Sequence, residues 1–109
     1  MFRVNATIME RIDGAWSYRD LIVDSKEKIR SFFGADEVEL GDALLNNVFV
    51  FYNPRLISKD GITAKMTDSK GEMHYMCSPL MFLALDDKRQ PANLSPELFE
   101  ATKAAIDFY

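Results

Sequence analysis

The sequence has little of several residue types on which enzyme sites are built. Its 109 residues include one cysteine, Cys77, and one histidine, His74. One cysteine excludes a disulfide within the chain and any zinc site built on several cysteines. The motifs of phosphate-binding glycine loops, nucleophile elbows and zinc-binding histidine pairs are also missing. The sequence therefore predicts no metal, no cofactor and no catalytic residue, and we expect a protein that is not an enzyme.

Long apolar runs are missing as well. The longest one, Leu80 to Leu85, is far shorter than the roughly 20 residues that span a membrane as a helix. The opening residues MFRVNATIME alternate and have no apolar centre like that of a signal peptide. We therefore expect no membrane association and a cytoplasmic location.

Positive charge is scarce and dispersed. The net charge is −4, and no basic cluster is longer than Lys88-Arg89. Nucleic-acid-binding proteins usually carry a basic patch or stripe that neutralises phosphates. Direct nucleic-acid binding is therefore not expected.

What the chain does have is core material with the periodicity of strands. Apolar residues make up 48% of the sequence, which is enough for one folded domain over residues 1–109. Alternation in FRVNATIM, a turn at Asp13-Gly14 and the apolar run VFVFY predict strands joined by hairpins. The predicted order is β-β-α-β-β-β-β-α. This order is typical of an α+β domain, with a mostly antiparallel sheet of about five to six strands and two helices packed on one face.

The expected boundaries come from turn and capping residues. Asp24 to Gly34 reads as a helix, with Asp24 as N-cap and Gly34 just past the end. A second helix should begin at Ser95-Pro96 and continue to Phe108 near the C-terminus. Lys59-Asp60-Gly61 predicts another hairpin, and Pro79 should interrupt the strand that spans residues 72–87.

The most suggestive stretch for function is Asn53-Pro54-Arg55, which follows the buried run VFVFY. A loop on a rigid scaffold is a common place for binding groups, and the arginine fork suits phosphate or carboxylate. Ordinary turn chemistry explains the same residues equally well. Further candidates for binding a partner or ligand are Trp16, Tyr18, Tyr52, Lys65, His74, Tyr75 and Arg89.

His74 and Cys77 are the only pair that resembles a catalytic dyad. They stand three positions apart, which places them on opposite faces of a regular strand. Cys77 therefore reads as a small buried residue, and His74 as a half-buried polar one. Glu72 and Met76, which share the face of His74, do not indicate a metal site.

The rest of the layout consists of four segments. In chain order they are DSKEKIRSFFGADEVEL, VFVFYNPRLISKDGITAKM, CSPLMFLALDD and NLSPELFEATKAAI. From about residue 10 to 106, this layout resembles a family of small domains of unknown function found in phages and mobile elements. It departs from the family pattern at Cys77-Ser78-Pro79. The resemblance implies a small accessory protein in the cytoplasm of a host cell. Such proteins often inhibit host defence proteins or sequester nucleotide signals.

Three functions follow as hypotheses. The first is a non-enzymatic protein that binds and inhibits a host defence component, with aromatic and arginine side chains as anchors. The second is an oligomeric trap for a small nucleotide, in which Arg55, Arg89 and Lys65 meet phosphates and an aromatic ring stacks on the base. The third is a small enzyme that uses His74 or Cys77. A homo-oligomer is expected under the second hypothesis, and the first allows one.

Overall fold

The computed structural model describes residues 2–34 and 39–109, with all their side chains except those of 59 and 60. No helix in these ranges is both long and apolar enough to cross a membrane. The α-helices and strands of the described ranges are β1 Val4–Ile12, β2 Ala15–Val23, α1 Lys26–Phe33, β3 Gly41–Leu45, β4 Val48–Tyr52, α2 Ile57–Asp60, β5 Ala64–Thr67, β6 Met73–Met76, β7 Leu80–Leu85, β8 Pro91–Ala92, α3 Pro96–Ala104 and β9 Ile106–Phe108, and a short 3-10 helix, Pro54–Leu56, precedes α2.

The strands form two antiparallel sheets. Sheet A has the order β2-β1-β7-β4-β3, with β8 paired to β7, and sheet B has the order β6-β5-β9. Asp13-Gly14 forms the predicted hairpin turn between β1 and β2, with positive φ angles of 53° and 81°. These pairings confirm the α+β class and the mostly antiparallel arrangement.

The division into two sheets was not predicted. Residues 72–87 read as one interrupted strand, whereas the structure has β6 in sheet B and β7 in sheet A, on either side of Pro79. The predicted hairpin at Lys59-Asp60-Gly61 is wrong for the same reason, because β4 and β5 belong to different sheets. The short helix α2 occupies that connection.

The two longer helices cover opposite faces of sheet A. Ile29 and Phe33 of α1 pack in a core cluster with Met81, whereas Phe99 of α3 packs with Phe82 in the cluster between the sheets. The predicted placement of both helices on one face is therefore wrong. The reason lies in β7, whose buried side chains point to both faces, so that each face needs a cover.

The helix ends follow capping chemistry with two corrections. Ser25, and not Asp24, is the N-cap of α1, and its hydroxyl accepts the Lys28 N–H at 3.2 Å. Gly34 ends α1 in the left-handed conformation, as predicted. Ser95 caps α3 as expected, but α3 ends at Ala104. Phe108, expected in this helix, instead lies in β9, because the last residues pair with β5 in sheet B.

Candidate functional site

The turn after β4, which holds the first candidates, is fixed by local bonds. Asn53 is buried, and its side-chain oxygen accepts the backbone N–H of Arg55 at 3.1 Å. The carbonyl oxygen of Asn53 accepts a hydrogen bond from the Cys77 thiol at 3.3 Å. Arg55 is exposed and forms an ion pair with Glu39. Asn53 therefore has a structural task, and Arg55 is a surface cation that already has a partner.

Trp16 and Tyr18 lie on the edge strand β2 and pack against the C-terminal part of the chain. The Trp16 ring stands edge-on to Phe108, with ring centroids 4.9 Å apart, and its indole N–H donates to the Tyr109 carbonyl. The Tyr18 ring lies 5.5 Å from that of Phe99, yet Tyr18 remains 64% exposed. Trp16 therefore serves packing, whereas most of Tyr18 faces solvent.

Sheet B turns one face toward the core and the other toward solvent. Side chains alternate along its strands, so Lys65 and Tyr75 point away from the buried Ala64 and Met76. Lys65 stands directly opposite Tyr75 on one neighbouring strand and opposite Asp107 on the other. We call this surface the outer face; it consists of Lys65, Thr67, Met73, Tyr75 and Asp107.

Large side chains on the outer face are well exposed. Met73 is 47% exposed and Tyr75 is 51% exposed, two positions apart on β6. Tyr109, which follows β9, is 51% exposed, and its N–H donates to the Thr63 carbonyl next to β5. The outer face is thus an open, partly apolar surface on the side of sheet B that faces away from the core.

Tyr52 and His74 meet where the two sheets pack together. The Tyr52 hydroxyl lies 3.1 Å from His74 Nδ1, and His74 Nε2 lies 2.9 Å from Asp68 Oδ2. An ionised carboxylate only accepts, so Nε2 carries a proton, and in the neutral imidazole Nδ1 then accepts the Tyr52 O–H. Both ring nitrogens of His74 are therefore engaged, and the thiol of Cys77 donates elsewhere. The Cys77–His74 dyad is not formed.

Asp68 is held by the turn between β5 and β6. Its Oδ1 accepts the backbone N–H groups of Lys70 and Glu72, both at 2.9 Å. The neighbouring Ser69 donates both its hydroxyl and its backbone N–H to the Leu44 carbonyl of β3. Hydrogen bonds from His74 and from the two backbone groups lower the pKa of Asp68 below its usual value. The carboxylate is ionised and its position is set from two sides.

The Tyr52 phenol has a raised pKa, chiefly because it is partly buried, and also because the charges of Asp42 and Cys77 act on it. In the unfolded chain the Tyr52 phenol has the usual pKa of 10.0, which is lower than its pKa in the folded chain. Its contribution to stability is therefore complete below about pH 10 and is lost as pH rises further. We expect the free energy of unfolding to fall more steeply above pH 10 in the wild type than in Tyr52→Phe, measured by urea titration. Parallel curves would contradict this.

Gly41 leaves room for the Tyr52 ring. A Cβ atom built on Gly41 would overlap the ring of Tyr52, the residue directly opposite it in β4. Gly41→Ala should push the ring away from His74 and lower the free energy of unfolding by about 1–3 kcal/mol, the usual cost of overpacking. Unchanged stability and unchanged His74 imidazole resonances in Gly41→Ala would contradict this.

Arg89 lines a cleft of about 450 Å³ between α1 and sheet A, and it also lines a second cleft together with His74. It stands in a loop after β7 with a positive φ of 62°. Lys26 and Arg30 of α1 line the first cleft. Its apolar lining includes Phe2, Ile29, Leu40, Phe49, Phe51 and Leu83. Arg55 and Lys65, the other cations proposed for phosphate, do not line it.

Several residues of these surfaces escaped the sequence analysis. Met73 and Asp107 belong to the outer face, and Asp68 completes the His74 network. Strand alternation could have indicated Met73, because it stands two positions from Tyr75 and therefore on the same face of the strand. Strand periodicity could not indicate Asp68, because Asp68 lies in the turn before β6 and the turn brings it to His74.

Searches for relatives returned no match among protein-family models, curated proteins or solved structures. The resemblance to small domains of phages and mobile elements stays a prediction.

Proposed function

We propose that this chain is a non-enzymatic binding protein whose protein partner docks on the outer face of sheet B. One observation carries the proposal: Met73 and Tyr75 stand side by side on β6 and are both about half exposed. Methionine and tyrosine are enriched in protein interfaces, where they supply contact area at the buried centre. Three antiparallel strands hold these side chains on a rigid platform.

The charges of the outer face favour a partner with a mixed surface. Lys65 and Asp107 stand opposite each other on β5 and β9, so their charges offset one another. A partner with an apolar centre and a polar rim fits this pattern. Because the sequence resembles small domains of phages, a host defence protein is the first partner to test, and inhibition is the proposed effect.

Site-specific photo-cross-linking tests this proposal. A benzoylphenylalanine is placed at Tyr75 in one variant and at Tyr18 in another, since both tyrosines are exposed but lie on different sheets. Each variant is irradiated in host cells. We expect a cross-link to one host protein from position 75 and none from position 18.

The other outcomes of this experiment are equally informative. A cross-link from position 18 alone would overturn the outer face as the docking surface. A cross-link between two copies of the chain would replace the host protein with a homo-oligomer. Cross-links from neither position would contradict binding through the outer face.

A second candidate function rests on the cleft beside α1. Arg89, Arg30 and Lys26 bring three cations to a cleft whose lining also holds phenylalanine rings and one carboxylate, Asp42, and Arg30 is paired with Glu27. The cleft volume of about 450 Å³ lies within the range of small-molecule sites, roughly 300–1,000 Å³. Cations beside aromatic rings suit a small anion with an aromatic part, such as a mononucleotide. This supports the hypothesis of a nucleotide trap.

Thermal unfolding with AMP and ATP tests the nucleotide trap. A ligand that binds only the folded chain raises Tm as its concentration increases. We expect Arg89→Gln to abolish the shift and Arg55→Gln, outside the cleft, to retain it. No shift in the wild type, or the same shift in Arg89→Gln, would overturn this second function.

A further inference from the structure

We propose that His74, Asp68 and Glu72 form a binding site for a divalent transition-metal ion such as Zn²⁺. The three residues each offer one ligand atom, and these atoms all lie within 4.8 Å of one another. An imidazole nitrogen and two carboxylates are ligands that first-row divalent metals accept. Water would complete the coordination. These side chains are not part of the outer face; their cleft adjoins the cleft beside α1, because Arg89 lines both.

The distance between His74 and Asp68 suits two neighbouring ligands of one ion. Nε2 and Oδ2 are 2.9 Å apart. Ligand atoms about 2.1 Å from an ion lie roughly 3.0–3.4 Å apart, for angles between a right angle and the tetrahedral angle. An ion could therefore replace the shared proton with movements of only a few tenths of an ångström, about 0.1–0.5 Å.

The surroundings hold both ligands in place. Backbone N–H groups occupy Oδ1 of Asp68, which leaves Oδ2 to face His74. The Tyr52 hydroxyl lies 3.1 Å from Nδ1 and can either donate or accept. Metal-binding histidines usually donate their second ring N–H to such a partner, which fixes the tautomer.

Metal binding moves the imidazole proton of His74 from one ring nitrogen to the other, so the ring stays neutral. In the metal-free state Nε2 carries the proton, and Nδ1 accepts the Tyr52 O–H. In the metal-bound state Nε2 donates its electron pair to the ion, and a proton stands on Nδ1, which donates to the Tyr52 oxygen. Solvent carries the proton from one nitrogen to the other, because His74 and Glu72 line an open cleft.

A variant of Glu72 separates two roles for His74 and Asp68: binding a metal ion, or only joining Tyr52, His74 and Asp68 by hydrogen bonds. Its backbone bonds to Asp68 in both directions, whereas its exposed carboxylate has no partner among the described residues. Removing that carboxylate leaves the link between Tyr52, His74 and Asp68 intact. Glu72→Gln therefore weakens metal binding without weakening the fold.

The test is a Zn²⁺ titration of tag-free, chelator-treated protein by calorimetry, together with long-range ¹H–¹⁵N spectra. His74 is the only histidine, so every imidazole signal belongs to it. We expect one Zn²⁺ per chain and a transfer of the imidazole proton from Nε2 to Nδ1. Glu72→Gln should bind at least about tenfold more weakly, whereas Lys70→Gln, in the same turn, should bind as the wild type does.

Two results would overturn the metal site. One is the absence of saturable binding with unchanged His74 imidazole signals. The other is equal affinity of Glu72→Gln and the wild type, which would move the ion to other carboxylates.

Discussion

Replacing Phe82 with alanine is expected to lower the free energy of unfolding by about 3–5 kcal/mol, the usual cost of truncating a buried phenylalanine. Phe82 is fully buried in β7 and stands opposite Thr7 in β1 and Val50 in β4. Its ring is also edge-on to Phe99 of α3, with ring centroids 5.2 Å apart. The truncation leaves a cavity at the centre of the cluster between the two sheets, where α3 and β7 lose contact together.

Urea unfolding followed by the fluorescence of the single tryptophan, Trp16, measures this loss. Domains of this size are stable by only about 5–15 kcal/mol, so Phe82→Ala removes a large part of the total. Phe49→Ala on the neighbouring strand is the matched control, because Phe49 is only partly buried and its loss should cost less. Equal losses for the two variants would contradict the central position of Phe82.

Replacing both Met73 and Tyr75 with threonine should weaken binding of the protein captured through position 75 by about 30-fold or more. This corresponds to the loss of roughly 2 kcal/mol, typical of one interface hot spot. Threonine keeps the β propensity of β6, so the fold should be unaffected. Calorimetric titration of the purified partner gives the change in Kd.

Ile12→Thr is the control for this double variant. Ile12 is 57% exposed at the end of β1, so it is an equally accessible apolar residue in the other sheet. It should bind the partner as the wild type does. A double variant with undiminished affinity, or an Ile12→Thr variant that loses affinity, would place the contact elsewhere.

Local features of the fold followed from the sequence because short-range chemistry determines them. Asp13-Gly14 supplies the positive φ angles of the hairpin, and Gly34 ends α1 for the same reason. Ser95 with Pro96 begins α3. In each case the residues that predict the turn or helix end lie within a few positions of that turn or helix end.

The pairing of distant segments did not follow from the sequence. VFVFY was predicted to be a buried strand, and β4 does lie between β7 and β3. Nothing local indicates, however, that β6 and β7 enter different sheets, or that residues after Ala104 pair with β5. The helix placement failed because the two faces of β7 are both apolar, and a sequence does not say which helix covers which face.

The candidate site shows the same division. Strand alternation is a local property, and the structure places Lys65 and Tyr75 on the same exposed face of sheet B, but which aromatic residues are exposed was not predicted from the sequence. The partners of His74 were not predictable, since Tyr52 belongs to the other sheet and Asp68 arrives through a turn. Asn53 gave a strong sequence signal but serves as a cap.

NMR titration of the ¹⁵N-labelled chain with the captured partner tests most directly whether the outer face is the docking surface. At 12.5 kDa the chain gives well-resolved amide spectra. The expected result is that shifts and broadening concentrate on β5, β6 and β9, with the strongest effects at Met73 and Tyr75. Perturbations that concentrate instead on α1 and the cleft around Arg89 would contradict the proposed function.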